Sequence, residues 1–113
     1  MFKLLSLMLL FLNLMTVNSQ VTLKEGDTAP DFSLQAESGA WVKLSDYKGV
    51  SNVVLYFYPK DFTGGCTKQA CNFRDNISEI QQYNAVVLGV SVDDAETHKK
   101  FKEEHQLNYH SAC

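Results

Sequence analysis

An α/β domain built around a parallel strand pair is the fold class this sequence predicts, on three observations. "NVVLYFY" (52–58) and "AVVLGVSV" (85–92) are nearly continuous β-branched and aromatic runs, as expected of strands buried on both faces. Between them, Ala70, Phe73, Ile77 and Ile80 recur at spacings of three and four, the stripe of an amphipathic helix from 67 to about 83. Strand, helix and strand in that order imply a right-handed crossover and parallel pairing.

Residues 1–19 read as a signal peptide, outside that domain. Lys3 precedes the apolar run "LLSLMLLFL", and Val17 and Ser19 stand at the −3 and −1 positions of a cleavage site. The run falls short of the about 20 residues of a spanning helix, so no membrane attachment is expected after cleavage. The domain then occupies residues 20–113, in a secreted, periplasmic or secretory-lumen setting where disulfides persist. The formal net charge is −3 and no basic patch emerges, so nucleic acid is not an expected partner.

Along the domain, "DFSLQA" (31–36) and "AWVKLSDY" (40–47) alternate apolar and polar residues on either side of the turn signal "ESG". They predict a β-hairpin. Pro59 ends the next strand because it has no N–H for the ladder. "DDAETHKKFKEEHQ" predicts a charged helix opened by Asp93, with Glu96 three residues on at capping-box spacing. The closing "LNYHSAC" carries no signal for a further element. A lone parallel pair with one hairpin leaves a sheet edge and helix faces uncovered, so the pattern predicts an interrupted domain.

Two of the three cysteines, Cys66 and Cys71, stand five apart where the first long strand gives way to its helix. Zinc sites want cysteines about two to four apart and a second ligand pair. His98, His105, His110 and Cys113 offer no such spacing, so no metal is expected; the histidines read as a solvated helix face and a chain end. A static disulfide conflicts with helix geometry, because positions i and i+5 point about 140° apart and join only if the first turn unwinds.

A reactive thiol fits each neighbour. A cysteine in the first helical turn faces unpaired backbone N–H groups and the positive end of the helix dipole, and both favour thiolate. Gly64 and Gly65 let a small ligand approach the backbone, Thr63 can turn its hydroxyl toward the sulfur, and Pro59 fixes the loop. The odd cysteine count leaves at least one thiol free, reactive or paired with another chain.

These residues resemble a known family. "PKDFTGGC" matches the P-x-x-x-T-x-x-C signature of peroxiredoxins, and the cysteine five residues later resembles the bacterioferritin comigratory protein/PrxQ branch. "GDTAPDFSL", "YFYPKDFT", "CTKQACNFRD" and "GVSVDDAETHKKFKEEHQL" follow that branch in order and spacing, from Glu25 to about Leu107. The resemblance implies a thioredoxin-like fold and thiol-dependent reduction of hydrogen peroxide and organic hydroperoxides. It makes Cys66 the peroxidatic cysteine and Cys71 the resolving cysteine, which join as a disulfide during turnover. Thr63 and Pro59 would shape the peroxide pocket, and the backbone near Gly65 and Cys66 would bind the peroxide oxygens. A thioredoxin-like dithiol would be the reductant, with no metal, haem, flavin or other cofactor.

Two departures from the family pattern stand out. Gly64 occupies a position where the family commonly has proline, which predicts a looser loop. The family's catalytic arginine belongs to the C-terminal part of the domain, and this sequence stops before it; the resemblance is thus to a peroxiredoxin truncated at its C-terminus. Arg74, in "NFRD", matches a different family position and is expected to pair with Asp75 or a neighbouring acid. The alternatives are a weak or inactive peroxiredoxin fragment with an interaction role, or a thiol–disulfide oxidoreductase. The latter chemistry usually uses C-x-x-C, whose sulfurs pair without helix unwinding.

Overall fold

A computed structural model describes residues 22–113, so the signal-peptide expectation for 1–19 lies outside the described residues. The hairpin forms where alternation predicts it. Strands β1 (Ser33–Gln35) and β2 (Trp41–Lys43) pair antiparallel, Leu34 opposite Val42. Gly39, at φ 84°, supplies the left-handed residue of the turn. Beyond β2 the chain tightens into a single 3₁₀ turn, Leu44–Tyr47, held to the hairpin by Ser45 N–H donating to Asp31 Oδ1 at 2.9 Å.

The central sheet is parallel, with β3 (Asn52–Phe57), β4 (Ala85–Val90) and β5 (His110–Ala112) in that order across it. The third strand corrects the expectation of a lone pair. The closing segment buries Leu107, Tyr109 and Ala112, and Ala112 also bridges Ala36, which joins the hairpin to the sheet. A second correction concerns β3, expected to be buried on both faces. It lies at the edge of the sheet as described, and Phe57 is 73% exposed.

The helices keep the predicted apolar stripe but not its continuity. Helix α1 (Gly64–Asp75) starts three residues earlier than expected, directly after the extended Thr63. It is separated from α2 (Ile77–Gln82) by Asn76, at φ −104° and ψ 11°. There the Asn76 side-chain amide donates to the Asn72 carbonyl at 2.8 Å, a local bond that competes with the helix ladder. Helix α3 (Ala95–His105) is capped by Asp94, which accepts from Thr97 N–H at 2.8 Å, and not by Asp93. The Asp93 carboxylate is drawn inward instead, accepting from the Asp61 N–H and the Ser91 hydroxyl, each at 2.7 Å.

The core sits on one face of the sheet. Tyr56 and Tyr58 of the β3 strand and its exit, Val87 of β4, and Ala70, Phe101, Leu107 and Tyr109 form one buried cluster, with Phe73, Ile77, Ile80 and Cys66 packed at its margin. Gly89 makes room for this aromatic layer, since a Cβ there would lie 2.9 Å from the Tyr56 ring. The margin of that cluster is where the reactive-thiol candidate stands.

Candidate active site around Cys66

The loop from β3 to α1 is rigidly anchored at one point and open at the next. Tyr58 N–H makes the last bond to β4, donating to the Val90 carbonyl at 3.0 Å, and Pro59 then has no N–H to continue. Phe57, Tyr58 and Pro59 line an open cleft of about 460 Å³ together with Val90, Ser91 and Val92, and neither Thr63 nor Cys66 lines it. Asp61 is fully buried, and its backbone N–H bonds Asp93. Phe62 adopts φ 61°, a left-handed conformation that a bulky side chain rarely takes. Its ring is held against Phe101 of α3, centroids 5.2 Å apart, which offsets that strain.

Beyond Phe62 the chain enters α1 with its first turn open. Gly64 and Gly65 are exposed, with no atom within 4 Å of where a Cβ would stand. Small-residue character here leaves space beside the backbone rather than relieving a crowded contact. Cys66 is the third residue of the helix and half-buried. The N–H groups of Gly64, Gly65 and Cys66 therefore lie in the turn that has no intrahelical acceptors, and no acidic side chain stands in it. The Thr63 hydroxyl donates to the Lys60 carbonyl at 2.9 Å rather than to the sulfur. Its oxygen keeps only acceptor lone pairs for anything held at Cys66.

Cys71 lies on the same helix, half-buried, and all three cysteines are free thiols. Ideal helix geometry separates residues five apart by about 9 Å between Cα atoms, beyond the about 7 Å a disulfide spans. Arg74 turns away from this turn, as the sequence led one to expect. Its Nε lies 2.9 Å from Asp75 Oδ1 and its Nη1 donates to the His105 carbonyl at 2.6 Å. Eight residues along a helix also place it about 12 Å from Cys66 down the axis.

The buried network beneath the loop was not visible in the sequence. His98, expected on a solvated helix face, is 0% exposed, and its Nδ1 lies 2.6 Å from Asp61 Oδ2. The Tyr58 hydroxyl donates to the other Asp61 oxygen. Burial opposes a charge on His98, but the Asp61 hydrogen bond and charge outweigh it and hold the imidazole above its ordinary pKa. Burial and the Asp61 bond push the Tyr58 hydroxyl well above the usual phenol range. The one available sequence signal was spacing: His98 stands three residues before Phe101, on the apolar side of α3. Donor atoms of Asp61, Asp93 and His98 lie within 4.8 Å of one another, a possible metal grouping. Each carboxylate is already engaged by protein groups: Tyr58 and His98 at Asp61, Ser91 and a backbone N–H at Asp93. The grouping is accounted for as an internal ion-pair network.

Known proteins resemble this chain in sequence and in fold. A family model described as AhpC/TSA matches residues 25–113. Peroxiredoxin Bcp of Bacillus subtilis is 52% identical over 89 residues, covering 79% of this chain and 56% of the relative. Among solved structures, peroxidoxin BcpB from Mycobacterium tuberculosis superposes with a TM-score of 0.75 at 39% identity, covering 80% of this chain and 59% of that one. The bacterioferritin comigratory protein of Xanthomonas campestris, solved as a trapped intermediate/ligand complex bearing on its alkyl peroxide reduction activity, gives a TM-score of 0.68 at 28% identity. That match covers 72% of this chain and 51% of that one. The chain thus has the thioredoxin-like α/β fold of these neighbours over the part it shares, and spans about half the length of the curated relatives it matches.

Proposed function

Because the chain belongs to the AhpC/TSA family, we propose that it reduces hydrogen peroxide and organic hydroperoxides, with Cys66 as the peroxidatic and Cys71 as the resolving cysteine. The observation that carries this reading is the position of Cys66 in the open first turn of α1, beside two exposed glycines and with no acidic residue in that turn. The Cys66 thiolate attacks one peroxide oxygen, the O–O bond breaks, and the other oxygen leaves as alkoxide or hydroxide that takes up a proton. Cys66 becomes sulfenic acid. N–H groups near Gly65 and Cys66 receive the charge that develops on oxygen, while Pro59 and Thr63 bound the approach.

The first turns of α1 then unwind, and the Cys71 thiol displaces the sulfenic oxygen as water to form an intrachain disulfide. A thioredoxin-type dithiol takes the disulfide back to two thiols and is itself oxidised. No resident cofactor enters these steps. The pair stands in a helix of ordinary geometry and closes only during turnover, which is why a resting dithiol is compatible with this chemistry.

One equivalent of peroxide should yield a Cys66–Cys71 disulfide by peptide mapping, and Cys71→Ala should accumulate sulfenic and then sulfinic acid on Cys66. Peroxide consumption that survives Cys66→Ser would sink the assignment. Export by way of residues 1–19 completes the reading: exported protein should begin at Gln20 by intact mass, and a chain retaining Met1 would contradict it.

A further inference from the structure

The closing segment does more than add a strand. The Tyr109 hydroxyl donates to the Ala70 carbonyl at 3.0 Å inside the core, and the Tyr56 hydroxyl lies 2.9 Å from it. A phenol has one proton, and Tyr109 uses its own on Ala70, so Tyr56 donates to Tyr109. The Tyr109 ring is fixed edge-on to Phe73 and Tyr56, each with centroids 6.3 Å away. Ala70 is 1% exposed and immediately precedes Cys71, so the bond pins the peptide unit that enters the resolving cysteine.

We propose that Tyr109 is a positioning residue whose hydroxyl clamps the Cys71 end of α1 and so slows resolution of oxidised Cys66. The proposal rests on the two-cysteine reading above. A sulfenic acid on Cys66 has two fates. Cys71 can attack it, forming the disulfide and releasing water; or a second peroxide can oxidise it to sulfinic acid, itself reduced to water or alcohol. Only the first fate requires α1 to unwind. With the peptide before Cys71 held by Tyr109, unwinding either stays on the Gly64 side or must break a buried hydrogen bond. One such bond makes opening roughly two- to tenfold rarer, which lengthens the life of the sulfenic acid and favours the second fate. The unusual cost falls on the resolving side of the pair, because no comparable side-chain bond from the core holds the turn at Gly64–Cys66 among the described residues.

The test compares Tyr109→Phe with Tyr56→Phe in the full chain. Each loses one hydroxyl from the same cluster, but only the first loses the bond to Ala70. In the reduced proteins, hydrogen exchange across α1 should rise roughly two- to tenfold in Tyr109→Phe with β4 unchanged, and stay close to wild type in Tyr56→Phe. Under graded hydrogen peroxide, the ratio of sulfinic acid to disulfide at Cys66, read by mass spectrometry, should fall by the same factor in Tyr109→Phe alone. Equal effects in the two variants, or unchanged α1 exchange in Tyr109→Phe, overturn the clamp whatever the thiol chemistry. A wild-type chain that forms no Cys66–Cys71 disulfide, while α1 exchange responds as described, overturns the two-cysteine reading and the role in resolution with it.

Discussion

Replacing His98 by leucine should expose how strongly the loop before Cys66 depends on a buried charge pair. The substitution leaves the Asp61 carboxylate fully buried with Tyr58 as its remaining side-chain donor. Removing one partner of such a pair costs about 3–5 kcal/mol. A folded unit of this size holds roughly 5–14 kcal/mol in all, so about a fifth or more of the stability is at stake. Urea unfolding followed by far-UV circular dichroism measures the loss directly, and the Asp61→Asn/His98→Leu double variant should cost clearly less than the two single changes together. The pH dependence carries an independent sign. His98 is held above its unfolded value of 6.5, so its contribution is fully present below that pH and is lost as pH rises through the folded value. Wild type should therefore weaken relative to His98→Leu as pH rises above 6.5. A cost below about 1 kcal/mol, or identical pH profiles for the two proteins, would refute the reasoning about the network.

Two further outcomes follow from the packing. Glu37 accepts from Lys102, His110 and the Ser111 N–H; burial works against its charge, but the His110 and Lys102 bonds prevail and hold its pKa at about 2. Its contribution is present above the unfolded value of 4.5 and lost as pH falls toward 2, about 3 kcal/mol in total. An acid titration of stability should show that loss in wild type and not in Glu37→Gln. Gly89→Ala places a methyl 2.9 Å from the Tyr56 ring, which its hydroxyl bond to Tyr109 keeps from swinging aside. Overpacking of that kind should cost about 1–3 kcal/mol in a denaturant melt, and a neutral result would mean the aromatic layer is looser than its contacts imply.

Features that depend on a residue and its near neighbours were legible in the sequence. Alternation placed the hairpin, unbroken β-branched runs placed β3 and β4, and spacings of three and four marked the buried stripe of α1 and α2. Cys66 could be set in a first helical turn, and Arg74 beside Asp75, for the same reason. Tertiary structure decided the rest. Strand β5 is only three residues long, too short to show a period, and it exists because Leu107 and Tyr109 enter the core and Ala112 reaches the hairpin. Asp93 looked like a helix cap, yet the Asp61 N–H, 32 residues away, claims its carboxylate and leaves the cap to Asp94. His98 sits among charged residues that suggest solvent, and only the packed loop brings Asp61 against it. Tyr109 meets Ala70 across 39 residues of sequence. Periodicity registers which face of an element is apolar; it cannot register which distant polar group that face will meet. A buried hydrogen bond is chosen by the whole packed chain, because only there does an unpaired donor or acceptor become costly.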